Sequence, residues 1–348
     1  MTVTEFYQKY TSDCTAGCGN QLLTRLAQPV TKTGRCRFRL SCGGENYALL
    51  FSNQVDSTYD DGSISRTNDV GGCWTIEAMR VGLCAGYGEE PQTWQRVTFA
   101  GATRKLVSGP ECFVTDAIAL NAKAGDSLCY EITLSGSCFP YHEEAVLTMV
   151  PDKQIPLPLM IGSDRPVERK VGFLGDSITQ GCGTEDDSYT HWVAQIAEKL
   201  PAAYSVWDLG IGYARAQDAA TDGGWLARAK QCDTVCVCFG VNDVLRGRQA
   251  EAILQDLHTI VEKLKAADCR VILLTLPPFD LEGAEKAQWQ QVNSVIRESL
   301  YKEADGLFDI AAVLGQKAPH ENICVYGGHP NAEGCRMVAE AFLAQKIL

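Results

Sequence analysis

Between Arg35 and Cys42 the chain reads R-C-R-F-R-L-S-C, with Cys36, Phe38, Leu40 and Cys42 at alternate positions and Arg35, Arg37 and Arg39 between them. A strict period of two sends the two sets to opposite faces of an extended strand, so this segment predicts a half-buried strand of an antiparallel sheet. The alternation returns at Leu128, Tyr130, Ile132 and Leu134. Shorter β-rich runs occupy 47–52, 74–83, 97–99 and 117–120, and Gly43-Gly44, Asp60-Asp61-Gly62, Gly71-Gly72, Ser108-Gly109-Pro110 and Ala124-Gly125-Asp126 supply turn chemistry between them. Many short strands, frequent turns and no helical periodicity predict an antiparallel β-sandwich over residues 1–150.

Pro151, Pro156, Pro158 and Pro166 follow. Proline is poorly tolerated in helix interiors and central strands, so 151–168 is expected to be an extended connector. Beyond it the period changes. Apolar runs at 170–174, 204–209, 234–239, 271–276 and 306–310 alternate with helical stretches near 190–200, 224–230, 249–266, 284–302 and 331–347. In 249–266, Ile253, Leu254, Leu257, Ile260, Val261 and Leu264 fall on one stripe. Strands alternating with helices predict parallel βαβ units: a three-layer α/β/α domain over 169–348 with five parallel strands. Ligands in such sheets bind at the carboxyl ends of the strands, which directs attention to the loops after Leu174, Leu209, Phe239, Leu276 and Ile310.

With 348 residues the chain has room for two domains with proper cores. Its 31 basic and 43 acidic residues leave a net charge of −12, a field that repels phosphate backbones and anionic lipid; neither a nucleic-acid nor a membrane partner is expected. The first residues, MTVTEFYQKYTSDC, carry neither a basic leader nor an apolar core, so a cytoplasmic location is expected. Sixteen cysteines would suit a disulfide framework in a shorter chain. Here nine precede Pro151 and seven follow it, so neither part can pair completely, and several stand where small apolar residues belong; they read as reduced thiols. Cys14 and Cys18 have no matching second pair at zinc spacing, and no metal or cofactor is expected.

The loop after the first parallel strand is Gly175-Asp176-Ser177-Ile178-Thr179-Gln180-Gly181. A serine there can present its hydroxyl beside backbone N–H groups at a helix start, although a lone serine in that place is more often just a helix cap. Other loops add to it. Gly210-Ile211-Gly212 follows the second strand and offers an unobstructed N–H, and Gly240-Val241-Asn242-Asp243 follows the third and offers a side-chain amide. Tyr326-Gly327-Gly328-His329-Pro330-Asn331 places a histidine just before the last helix.

Ser, Gly, Asn and His in that order, on those loops, resemble the SGNH (GDSL-like) hydrolase superfamily, and the resemblance covers 169–348. Phe51-Ser52-Asn53, Val97-Thr98-Phe99-Ala100-Gly101 and Ala124-Gly125-Asp126-Ser127-Leu128 resemble, more weakly, the jelly-roll domain preceding the hydrolase domain in some carbohydrate acetyl esterases of that superfamily. The resemblance implies a flavodoxin-like hydrolase domain with Ser177 as nucleophile and His329 as general base. It also implies an oxyanion hole from the Ser177 and Gly212 N–H groups and the Asn242 amide. The implied substrate is a small acyl ester, an O-acetyl group on a carbohydrate, on a small molecule or an oligosaccharide. The alternatives are a lipase- or thioesterase-like acyl hydrolase and an inactive carbohydrate-binding protein.

One position departs from the family. It usually has an aspartate three residues before the histidine, and Tyr326 stands there. Two arrangements follow: a Ser–His dyad with the imidazole oriented by a backbone carbonyl, or a triad completed by a carboxylate elsewhere, for which Asp309 is the distant candidate. Asp176 and Asp243 read as scaffolds for their loops, and Cys182 as a bystander. His191 reads as a surface or helix-start residue, His258 as a residue of a solvated helix face, His142 as part of the β domain and His320 as part of a surface loop.

Overall fold

The computed structural model describes residues 1–17, 19–56, 66–84, 89–142, 154–315 and 322–348. Cys18, the Asp60-Asp61-Gly62 turn, Pro151 and His320 lie outside the described residues. The chain divides into two compact units, Met1–Glu168 and Arg169–Leu348.

The first unit contains two five-stranded antiparallel sheets. One orders Val30–Arg39, Ser127–Gly136, Trp74–Cys84 and Gln95–Arg96, with Lys105–Val107 also on Trp74–Cys84. The other orders Thr11–Ser12, Met160–Ser163, Gly43–Ser52 and Cys112–Val114, with Ile118–Lys123 also on Gly43–Ser52. Their inner faces meet through aromatic rings: Phe51 lies edge-on to Tyr130 at 6.2 Å and Trp74 edge-on to Phe113 at 6.3 Å. Cys36, Phe38 and Leu40 are buried on the inner face, as the alternation predicts. Arg37 departs from it: expected on the solvated face, it is buried, and its Nη2 donates to the Glu89 carbonyl at 2.5 Å.

Three further expectations change. A helix spans Val3–Lys9, where none was expected, started by a capping box in which Thr2 Oγ1 accepts from the Glu5 N–H and the Glu5 carboxylate accepts from the Thr2 N–H. The strand itself falls at Gln95–Arg96, and of 97–99 only Val97, whose N–H donates to the Met79 carbonyl at 2.9 Å, and Phe99, bridged to Ala102, keep β pairing. The proline-rich stretch also enters the sandwich. Ile155, Leu157 and Leu159 are buried, and Met160–Ser163 pairs antiparallel with Gly43–Ser52. Pro156 and Pro158 precede the ladder, so their missing N–H groups cost it nothing.

The second unit has a single parallel sheet in which Tyr204–Gly210, Arg169–Gly175, Thr234–Cys238, Arg270–Leu274 and Gly306–Phe308 lie side by side. In chain order that is 2-1-3-4-5, the flavodoxin-like arrangement, with its topological switch at the first strand. On one face Phe173, Cys236, Ile272 and Phe308 pack against Trp192 of helix Trp192–Lys199 and Phe342 of helix Ala332–Ala344. The alternate positions Val235, Val237, Val271 and Leu273 are buried as well, as a sheet covered on both faces requires. Helix Ala250–Lys265 buries Ile253, Leu257, Ile260, Val261 and Leu264.

Candidate active site

The first strand ends at Gly175, directly opposite Gly210 of the second strand and Cys238 of the third. Ser177 lies two residues beyond Gly175, Gly212 two beyond Gly210, and Asn242 four beyond Cys238. All three therefore stand just beyond the carboxyl edge of three adjacent strands, around the switch point.

Local capping decides what Ser177 is available to do. Asp176 is the N-cap of the one-turn helix Ser177–Gln180, and its Oδ1 accepts the Ile178 N–H at 3.0 Å. Ser177 is therefore the first helical residue and not the cap. Its N–H is one of those a helix start leaves without an intrahelical acceptor, and its hydroxyl is available for other work. Two glycines make the turn possible. Gly181 closes the helix at φ +103°, and a Cβ on Gly210 would sit 2.2 Å from the Gln180 nitrogen.

Ser177 Oγ lies 2.9 Å from Nε2 of His329. The other ring nitrogen, Nδ1, lies 2.9 Å from the Tyr326 carbonyl oxygen. A carbonyl only accepts, so Nδ1 carries the hydrogen and Nε2 is left with the lone pair that receives the serine O–H. The 3-10 turn Tyr326–Gly328 brings that carbonyl round, and the His329 backbone N–H donates to it as well, at 3.3 Å. Phe279 meets the imidazole edge-on at 5.2 Å and the Tyr326 ring lies 4.7 Å away. His329 is buried, and burial pulls its pKa below the usual 6.5 against the opposing hydrogen bond to Tyr326. At neutral pH the ring is a neutral base.

Asn242 is in the first turn of helix Val241–Leu245, and its Nδ2 donates to the Ala214 carbonyl at 3.0 Å. The amide has a second N–H. Because Ala214 belongs to the loop that carries Gly212, this bond ties the two candidate oxyanion donors together. The same loop is anchored to the serine strand by Ile211 N–H donating to the Gly175 carbonyl at 3.0 Å.

Residues 173–337 match the model of the GDSL-like lipase/acylhydrolase family. The second unit is a GDSL-like acylhydrolase domain. No curated protein matches the chain. Among solved structures, it is similar to a protein assigned to the G-D-S-L lipolytic family from Desulfitobacterium hafniense, at 20% identity over 52% of this chain and 100% of that one, with a TM-score of 0.45. It is also similar to a member of the same family from Veillonella parvula, at 18% identity over 50% and 96% of the two chains, TM-score 0.43. A third is a catalytic mutant of an acetylxylan esterase from Geobacillus stearothermophilus, at 22% identity over 53% and 95%, TM-score 0.42.

The remaining candidates separate clearly. Asp309 is held elsewhere: it takes Nε and Nη2 of Arg297 at 2.7 and 2.9 Å, the Thr275 hydroxyl at 2.9 Å and the Ala312 N–H at 3.0 Å, as the cap of helix Ile310–Leu314. Asp243 is a scaffold, accepting from the Ala216 N–H at 2.9 Å and from Arg248 Nη1 at 2.6 Å. Asp176 is fully buried, and loss of water pushes its pKa up to about 7, with Asp243 adding repulsion. Cys182 is buried with its thiol 3.7 Å from Gln180 Oε1. His258 lies between Glu303 and Glu262 on the partly solvated side of its helix, and the buried His142 places Nδ1 3.0 Å from the Gly19 carbonyl.

His191 is a correction. It does open its helix, but it is fully buried, with Nε2 3.2 Å from Asp208 Oδ2. Its ring lies over Gly181, where a Cβ would stand 2.6 Å from the His191 Cβ, and Asp208 Oδ1 accepts the Gly210 N–H at 2.8 Å. The pair thus links the end of the serine turn to the end of the second strand. The sequence held one signal for it, a lone Asp in the apolar run Val206-Trp207-Asp208-Leu209. Phe279 was also legible, as an aromatic on the loop after the fourth strand. The Ala214 carbonyl was not, because backbone groups leave no mark in a sequence.

Among the described residues no group of three or more His, Cys, Asp or Glu side chains could hold a metal ion. Cys236 and Cys238 of the third parallel strand are buried reduced thiols, as their place in an apolar run predicts. No described helix is long and apolar enough to cross a membrane.

Proposed function

We propose that the protein hydrolyses small acyl esters through an acyl-enzyme on Ser177, with a Ser177–His329 dyad in place of a triad. The observation that carries this is the chain of contacts from Ser177 Oγ to His329 Nε2 and from Nδ1 to the Tyr326 carbonyl. Ser177 Oγ attacks the ester carbonyl while its proton passes to Nε2. The tetrahedral oxyanion is received by the Ser177 and Gly212 N–H groups and the second N–H of the Asn242 amide. Collapse breaks the C–O bond, and the departing alkoxide takes the proton from His329. Water then repeats the sequence on the acyl-enzyme, returning the acid and free Ser177. A carbonyl dipole fixes the tautomer as an aspartate would, but it stabilises the imidazolium less than a full negative charge.

The acyl group is acetyl and the alcohol a saccharide, free or oligomeric. Support for this finer reading is the layout, a β-sandwich ahead of the acylhydrolase domain, as in the carbohydrate acetyl esterases that the sequence resembles. Neither a nucleic acid nor a membrane is a partner in this reading. A series of p-nitrophenyl esters tests it, with Ser177→Ala as the control. Activity is expected to be highest on acetate, to fall with chain length and to vanish in the variant. Activity rising steeply towards octanoate would favour a lipase-like enzyme, and equal background rates in both proteins would remove the esterase reading.

A further inference from the structure

The Arg35-Arg37-Arg39 stripe of the sequence has no part in ester hydrolysis. On the solvent-facing side of its sheet, cross-strand register sets four charged residues in one row: Arg35 opposite Glu131, Glu131 opposite Arg80, and Arg80 opposite Arg96. Glu131 satisfies the first two, accepting Nε of Arg35 at 2.5 Å and Nε of Arg80 at 2.7 Å. Arg35 reaches Glu90 as well, at 2.7 Å. The row then ends in two arginines directly opposite each other on neighbouring strands. Among the described residues, neither Arg96 nor the terminal nitrogens of Arg80 have a protein acceptor. Like charges directly opposite each other on neighbouring strands destabilise a sheet unless something neutralises them.

The end of the row opens into a groove of about 490 Å³, whose lining includes Arg80, Arg96, Trp94, Glu77, Thr103 and Thr133. That volume is in the range of small-ligand sites. Trp94 is half-buried and lies over the Arg80 guanidinium, 4.4 Å from ring centre to cation, which fixes both groups at the groove wall. Glu77, held by Arg104 at 2.7 Å and Ser135 at 2.5 Å, keeps further acceptor lone pairs, and Thr103 and Thr133, the latter 2.8 Å from the Thr33 hydroxyl, add hydroxyls beside the arginines. Forked donors call for a planar anion such as a carboxylate. Carboxylate acceptors within the same groove call for hydroxyl donors on that ligand, and they repel a phosphate dianion. A flanking indole suits the C–H face of a sugar ring.

We propose that this groove binds a uronic-acid-bearing oligosaccharide, its carboxylate taken by Arg80 and Arg96 and its hydroxyls by Glu77, Thr103 and Thr133. The groove belongs to the first unit, Ser177 to the second, and the proposal rests on no part of the ester-hydrolysis reading. Calorimetric titration of the full chain with tetragalacturonate, cellotetraose and inorganic phosphate tests it, in wild type and in Ser177→Ala. Saturable binding of tetragalacturonate is expected in both proteins, weakening with added salt and at least about tenfold tighter than cellotetraose, the share of one charge-assisted fork. Arg96→Ala is expected to lose about tenfold in that affinity while hydrolysing p-nitrophenyl acetate at the wild-type rate. Arg96→Lys keeps the charge and loses the fork, so it is expected to weaken binding too. The proposal is overturned if tetragalacturonate does not bind, if cellotetraose or phosphate binds as well as it does, or if both Arg96 variants bind like wild type.

Discussion

His329 depends on a main-chain carbonyl for its orientation, which makes the identity of residue 326 less important than its backbone. The Tyr326 side chain is 67% exposed, and Tyr326→Ala leaves the carbonyl in place. Its kcat/KM on p-nitrophenyl acetate is expected to stay within a few-fold of wild type; a loss of about a hundredfold would assign the ring a direct role. The lowered pKa of His329 sets the pH profile. The neutral ring is the base, so kcat/KM is expected to rise with pH through a midpoint below 6.5 and to level off above it; a midpoint above 6.5 would contradict burial outweighing the Tyr326 hydrogen bond. Asn242→Ala is expected to lower kcat by roughly 10²–10³, the usual cost of one oxyanion donor, and to lower the melting temperature as well, because the buried Ala214 carbonyl loses its donor. At this scale the positions of Ser177, Gly212 and Asn242 just beyond three strand ends, and of His329 before the last helix, were legible because chain order and strand ends were readable. It left the orientation of His329 open between two arrangements, because the Tyr326 carbonyl has no side-chain signature.

Elements show where periodicity suffices and where it does not. Helix Ala250–Lys265 and strand Ser127–Gly136 were legible because a core on one side imposes the 3.6 and 2.0 periods directly. The Val3–Lys9 helix buries Phe6 alone, too little for a period; its evidence was the capping pair Thr2 and Glu5. Met160–Ser163 was hidden by the prolines before it. Asp309 illustrates how an element can claim a residue that a site might use. Bound by Arg297 and Thr275 and capping helix Ile310–Leu314, it is a structural group. Asp309→Asn is expected to cost about 1–3 kcal/mol of stability in a denaturant titration and to leave kcat within a few-fold. A fall of several orders in kcat with the fold intact would instead make it a member of a triad.

For the whole molecule, buried carboxyls decide how stability responds to pH. Asp13 accepts the Tyr47 hydroxyl and the Cys42 and Gly43 N–H groups, yet burial holds its pKa up at about 6, and Asp176 is pushed up to about 7. In each case the folded state holds the proton more tightly than the unfolded chain, whose value is 3.8. That contribution to stability is complete below about pH 4 and is lost as pH rises through about 6 and about 7. His329 works in the opposite sense, since its lowered pKa favours the fold as pH rises through 6.5. Asp208 and Asp243 are raised by burial in the same sense, so between about pH 5 and 7 the denaturation midpoint is expected to fall, and Asp13→Asn with Asp176→Asn to flatten that slope; a midpoint rising over this range would contradict the balance.

The central claim is that Ser177 forms a covalent intermediate, and intact-mass spectrometry after treatment with diethyl p-nitrophenyl phosphate tests it most directly. One diethylphosphoryl adduct per chain is expected, mapping to Ser177 and absent from Ser177→Ala. An unmodified chain, or an adduct that persists in the variant, would contradict the account.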